Sequence, residues 1–233
     1  MDPGEIRQLA VIEEGHWWFR ERRALIAREL KRVKPGRAID IGAAAGRNTS
    51  VLADLGWQAV ALEYDSSGAE MAKDRGINVV RGDATQLPVP DAEFDLAVSY
   101  DVLEHIDDDA GVADEMMRIL KPGGRILIAV PADPKLWSEH DDAVSHLRRY
   151  TRESLTTLFE DAGFTIEKVR SWNVLLRPAI AWKRGRASNA GSDIEMVSAP
   201  LNRVLHAIVG AERYLPTGRL PGVSLMLRAR KPA

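Results

Sequence analysis

The chain has 233 residues and a mass of 25.8 kDa, enough for one domain with a sizeable core and too short for two large ones. Its hydrophobic fraction of 45% and charged fraction of 28% exclude a largely disordered chain, and 32 basic against 34 acidic residues argue against a dedicated nucleic-acid binder. There is no cysteine, which excludes disulfide scaffolds, thiolate zinc sites, iron–sulfur clusters and cysteine nucleophiles.

No apolar run approaches the roughly 18–20 residues that span a bilayer. The opening Met1-Asp2-Pro3-Gly4-Glu5 lacks the basic and apolar regions of a signal peptide, so a soluble cytoplasmic protein is the expectation. Residues 5–34 read as helix, with Leu25, Ile26, Leu30 and Val33 on an apolar face, and Pro35-Gly36 end it.

From residue 37 the pattern alternates. Strand-like runs at Arg37–Ile41, Gln58–Leu62, Ile77–Val80, Asp95–Ser99 and Arg125–Val130 are separated by helix-like stretches at Arg47–Leu55, Ser66–Arg75 and Asp109–Leu120. That order predicts right-handed crossovers and a parallel sheet covered on both faces. Lys121-Pro122-Gly123-Gly124 reads as a helix stop and turn, and Thr151 as the cap of a helix ending at Ala162, before Gly163. Phe164–Val169 and Ser224–Lys231 read as strands six and seven. Between them lie helix-like pieces near 174–184 and 199–213, joined by a polar stretch from Gly185 to Asp193 of loop composition.

The segment Ala38-Ile39-Asp40-Ile41-Gly42-Ala43-Ala44-Ala45-Gly46-Arg47 carries the clearest chemistry: an apolar strand, a turn of small residues, then a helix. Gly42 and Gly46 let backbone approach a ligand where open α/β sheets bind one. The dinucleotide fingerprint wants a middle glycine where Ala44 stands, so the turn suits a nucleoside better than a pyrophosphate. Glu63, at the end of the second strand, is spaced to accept ribose hydroxyls. Gly82-Asp83-Ala84 follows the third strand, where Asp83 can accept from an adenine amino group. Val102-Leu103-Glu104-His105 follows the fourth strand, and Leu120-Lys121-Pro122-Gly123-Gly124 precedes the fifth.

These five motifs in order resemble the class I S-adenosylmethionine-dependent methyltransferases over roughly residues 36–171, and again in strand seven. The resemblance implies a Rossmann-like α/β fold: a seven-stranded, mostly parallel sheet with the last strand antiparallel and helices on both faces. It implies S-adenosylmethionine as cofactor, with Asp40, Gly42 and Gly46 along its methionine and ribose portion. Glu63 would hold the ribose hydroxyls, Tyr64 would stack near the adenine, and Asp83 and Ala84 would meet the adenine edge. Tyr100 would sit by the methionine moiety and His105 near the mouth. Glutamate at 63 in place of the commoner aspartate and the alanine-rich turn are mild departures.

The run Gly15-His16-Trp17-Trp18-Phe19-Arg20 resembles the HWWF-type start of a bacterial subgroup of these enzymes. It reads either as a helix packed on the sheet or as a lid, with Trp18 or Phe19 over the cofactor and Arg20 or Arg23 on its carboxylate. After strand five, Trp137 to Tyr150 gathers His140, Asp141, His146, Arg148 and Arg149. His140 and His146 are the candidate catalytic proton acceptors. A structural role for the arginines, and a metal held by His140, Asp141 and His146, are the competing readings; no metal is expected.

The resulting division is 1–35 as an N-terminal helical lid, 36–171 as cofactor-binding core, 172–222 as a helical cap and 223–233 as the core's final strand. Trp172, Leu175, Leu176, Ile180 and Trp182, followed by Lys183, Arg184 and Arg186, leave three roles open for the cap: plain packing, a greasy acceptor pocket with peripheral membrane contact, or a dimer face. The expected activity is methyl transfer to a small-molecule acceptor by a monomer or homodimer, with no nucleic acid and no transmembrane segment. A non-catalytic interaction module, an NAD-dependent oxidoreductase and a nucleic-acid methyltransferase remain as alternatives.

Overall fold

Alternation along the strands decides which helix covers which face. In the strand Arg37–Ile41 (β1), Ile39 and Ile41 join one apolar cluster and Ala38 the other; in Leu120–Pro131 (β5), Ile126 and Ile128 part from Leu127 and Ala129 in the same way. Ile39, Ile41, Leu62, Leu96, Val98, Ile126 and Ile128 are each at most 1% exposed. Strands buried on both faces read as nearly continuous apolar runs, which is why they stood out in the sequence. The computed structural model describes residues 10–184 and 197–233.

In chain order the remaining elements are the helix Trp17–Leu30 (α1), Arg47–Asp54 (α2), the strand Gln58–Glu63 (β2), Ser66–Asp74 (α3), Asn78–Arg81 (β3), Phe94–Tyr100 (β4) and Asp109–Ile119 (α4). After β5 come Glu139–Ala143 (α5), Arg152–Asp161 (α6), Thr165–Trp172 (β6), Arg177–Arg184 (α7), Ala199–Ala211 (α8) and Ser224–Arg230 (β7). The sheet order is β3-β2-β1-β4-β5-β7-β6. Strand β7 is antiparallel to both neighbours, and the other pairings are parallel. The order turns back on itself between β1 and β4, which places a ligand crevice at the carboxyl ends of those strands.

One face carries Met116 and Ile119 of α4 with Leu155 and Phe159 of α6; the other carries Leu25, Ile26 and Leu30 of α1 with Leu52 of α2. The N-terminal helix therefore packs on the sheet through its second half. It is also clasped from the far end of the chain. The Trp17 amide donates to Asn202 Oδ1 at 2.8 Å, Asn202 Nδ2 returns a bond to the Gly15 carbonyl at 2.9 Å, and Arg213 Nε donates to the buried Glu21 at 2.6 Å.

Three expectations change. The single helix over 5–34 is broken at His16, which has extended backbone and whose Nδ1 accepts from the Trp18 amide at 3.3 Å as a cap; residues 10–15 are helical before it. Lys121 to Gly124 does not lie outside the sheet. Leu120 already pairs with Phe94, and the run is an irregularity within β5, pinned where the Gly123 amide donates to the Lys231 carbonyl at 3.1 Å. The loop after β5 also contains the short α5. The Thr151 cap is present, with Ser154 completing a capping box. The polar stretch from Gly185 to Asp193 lies outside the described residues. Among those described, no helix is long and apolar enough to cross a membrane.

Candidate cofactor and acceptor site

The β1–α2 turn is shaped for close approach. Gly42 and Gly46 have φ of 74° and 79°, in the left-handed region that strains a side chain. A Cβ on Gly42 would lie 2.3 Å from a methyl of Val102, and one on Gly46 would lie 2.4 Å from Ile77 Cδ1. Ala44 also takes a positive φ, 46°, without glycine's freedom. A left-handed backbone at an L-residue costs roughly 1–2 kcal/mol.

Glu63 offsets part of that cost. It is buried at the end of β2, where Oε2 accepts the Ala44 amide at 2.6 Å and Oε1 accepts the Asp65 amide at 2.8 Å. One carboxylate thus joins the β1–α2 turn to the β2–α3 turn. Asp83, past β3, accepts from the amide and hydroxyl of Thr85 at 2.8 and 2.7 Å, and these bonds hold its carboxyl below the usual carboxylate range. Tyr64, Asp65, Ser66, Arg81, Gly82 and Asp83 line an open cavity of about 370 Å³. Tyr64 is 72% exposed there, whereas Ala84 is buried in the apolar core.

Asp40 shares the α1 face of β1 with Ala38 by alternation. It is 1% exposed and accepts from Thr49 Oγ1 at 2.6 Å; burial outweighs that bond and the charge of Arg22, and pushes its pKa up to about 7. Tyr100 is buried, and burial together with the Asp40 charge pushes its phenol far up, so it keeps its proton. The Tyr100 hydroxyl and Asn48 Oδ1, at the start of α2, have no hydrogen-bond partner. Buried polar atoms are nearly always paired. Two orphans, a carboxyl poised near neutrality and a glycine turn fit the polar groups of S-adenosylmethionine.

The N-terminal segment reaches this region through an unexpected residue. Arg22 pairs with Asp101, which follows β4 directly and has a φ of 54°. Arg20 is exposed, and Arg23 donates to the carbonyls of Glu13 and Glu14 at 2.9 and 3.2 Å. Trp18 packs on Trp172 at the end of β6, ring centroids 4.4 Å apart.

After β4 and β5 lies a histidine–carboxylate cluster. His105, in the turn after β4, lies 4.8 Å from the His146 ring, and His140 lies 6.1 Å from it. Asp141 is fully buried. Burial alone would raise its pKa, but hydrogen bonds from His146 at 2.8 Å and Arg149 at 2.7 Å outweigh burial and hold it ionised. The ring Nδ1 of His146 must therefore carry the proton donated to Asp141, which leaves Nε2 facing Glu104 Oε1 at 3.8 Å. Glu104 is fully buried, and burial followed by the Asp101 charge raises its pKa well above the usual range. Sequence reasoning did not single out Glu104, Asp101 or Arg22 as site residues. The signal for Glu104 was an acid set in an apolar turn directly after a buried strand.

Fold and turns together define a class I methyltransferase architecture, with a glycine turn after β1, Glu63 at the end of β2, Asp83 after β3 and the histidine–carboxylate cluster after β4 and β5. The methyltransferase domain family matches residues 15–169, and the chain belongs to that family. A protein of Mycolicibacterium smegmatis named for S-adenosylmethionine-dependent methyl transfer is 28% identical over 165 residues, 69% of this chain and 64% of that protein. The chain thus spans just under two thirds of that relative's length. A demethylmenaquinone methyltransferase of Corynebacterium glutamicum is 30% identical over 145 residues, covering 60% of this chain and 63% of its own. Among solved structures, phosphoethanolamine N-methyltransferase 2 of Haemonchus contortus, in complex with S-adenosylmethionine, shares the fold with a TM-score of 0.63 at 20% identity, over 91% of this chain and 53% of its own.

Proposed function

We propose that this protein transfers the methyl group of S-adenosylmethionine to an oxygen or an acidic carbon of a small, apolar, ring-bearing molecule in the cytoplasm. The observation that carries the reading is the meeting of Glu104, His105 and the Asp141–His146 pair beside the cofactor turns. An amine acceptor could be methylated without a proton acceptor; a hydroxyl or an acidic carbon needs one. The demethylmenaquinone relative supports a quinone-like ring.

When bound, the cofactor supplies an activated methyl on a sulfonium with a neutral thioether as leaving group. Glu63 holds the ribose hydroxyls, and Asp83 with the adjoining backbone meets the adenine. The Gly42–Gly46 turn, Asp40 and Tyr100 receive the methionine portion. Among the described residues, 10–35 act as a lid and 172–184 with 197–222 as a cap over the acceptor. Their task is to align acceptor and methyl and to keep water out. The cluster around His146 takes up the acceptor's proton.

The test is transfer of labelled methyl into a panel of hydroxylated and prenylated quinones, simple phenols and primary amines. Label in the quinones or phenols supports the reading. Label confined to amines, or no label with cofactor bound, overturns it.

A further inference from the structure

We infer that Glu104, His105 and His146 form a binding site for a first-row divalent transition-metal ion on the acceptor side of the pocket. One ligand atom from each of the three lies within 4.8 Å of the other two. Proximity alone would not distinguish this from an ordinary polar cluster. Three further features do.

Glu104 is fully buried, and neither carboxylate oxygen has a hydrogen-bond partner. A buried carboxyl with no donor at either oxygen is costly, and a cation between it and the imidazoles removes the cost. Both imidazoles are also pre-set as ligands. His146 donates its Nδ1 hydrogen to Asp141 at 2.8 Å, and His105 donates its own to the Ser145 carbonyl at 3.3 Å. Each ring is left with a lone pair on Nε2. Asp141 is in turn anchored by Arg149 at 2.7 Å and by the Ser138 amide at 3.0 Å. A carboxylate that holds the far nitrogen of a histidine is the usual outer support of a metal-bound imidazole. Asp101, the nearby acid, is engaged by Arg22.

Two imidazoles and one carboxylate suit zinc, manganese, iron or cobalt better than magnesium or calcium, which favour all-oxygen shells. Three protein ligands leave coordination positions open. In the ion-free protein His146 Nε2 takes up the acceptor's proton; with the ion bound that nitrogen is a ligand, and an acceptor hydroxyl on the ion would lose its proton to solvent more readily. That consequence rests on the methyl-transfer reading; the cation site does not.

The test uses the full chain, stripped with chelator, and cobalt(II) chloride alone as probe, followed by calorimetry and by visible absorption. One cobalt per chain, with absorption bands of nitrogen and oxygen coordination, is expected. Glu104→Gln and His105→Ala should each weaken binding by roughly tenfold or more, and Asp141→Asn by roughly 10–100-fold, the range for outer-shell carboxylates. His206→Ala, which removes a histidine on α8, should leave it unchanged. Circular dichroism and S-adenosylhomocysteine titration establish that each variant is folded. Should Glu104→Gln fail to fold, His105→Ala, whose ring is partly exposed, decides alone. Absence of stoichiometric cobalt binding, or undiminished binding in the folded ligand variants, overturns the site. Loss of methyl transfer with cobalt binding intact would count against the acceptor reading and leave the cation site standing.

Discussion

Glu63, at the end of β2, holds the amide of Ala44 in the turn after the neighbouring strand β1, in a 2.6 Å hydrogen bond. The residue assigned to the ribose also keeps the glycine turn in shape. Glu63→Ala should therefore weaken S-adenosylhomocysteine binding by about 1–3 kcal/mol, the scale of a lost charged hydrogen bond. It should also lower the unfolding midpoint, because two amides lose their acceptor. Calorimetry on the folded variant checks this, and unchanged affinity would remove Glu63 from the site.

Ala44 is left-handed at φ 46°. Glycine there would relieve roughly 1–2 kcal/mol of backbone strain while adding about 0.5–1 kcal/mol of unfolded-state entropy. Ala44→Gly is thus expected to hold or slightly raise stability in urea. A loss of about 1 kcal/mol, usual for glycine elsewhere, would mean that the turn carries no strain.

Asp40 has its carboxyl raised from 3.8 to about 7 by burial. Between those values the folded chain binds more protons than the unfolded one. Its contribution is most favourable below about pH 4 and is lost as pH rises to about 7, at up to roughly 1.4 kcal/mol per pH unit. Asp40→Asn should flatten that part of the stability profile. Denaturant titrations between pH 5 and pH 8 read the difference; parallel profiles would show that Asp40 is already ionised in the folded state.

His146→Ala should lower methyl transfer by roughly 10²–10⁴-fold, the range for a positioned proton acceptor. Cofactor affinity should stay nearly intact, because the cofactor turns lie on β1 to β3. Comparing turnover with S-adenosylhomocysteine titration separates the two, and full turnover would make the cluster structural.

The sheet and the turns after its first strands were readable because their signals are local. Buried parallel strands are apolar runs, Gly42 and Gly46 mark the turn, and Glu63 follows at a fixed spacing. The rest depended on distant partners. Nothing local distinguishes Arg22 from Arg20 or Arg23; the packing of α1 on the sheet selects it. Histidine is not a customary helix cap, so the break at His16 was hidden. Lys121 to Gly124 looks like a turn because its strand pairing depends on β4 and on Lys231. Glu104 and His146 meet only once the β4 and β5 loops are placed.

The clasp between α1 and the segment after α7 has a consequence for the order of assembly. Trp17 and its partner Asn202 are 185 residues apart in the chain. On the ribosome, α1 emerges with its Leu25 and Ile26 face bare, and its polar partners Asn202 and Arg213 follow 185 and 192 residues after Trp17 and Glu21. Closing so long a loop is slow relative to the local contacts of the core. The helix that bears Arg22 should be among the last elements to become protected from hydrogen exchange during refolding, and the first to be exposed when the chain is shortened from its carboxyl end.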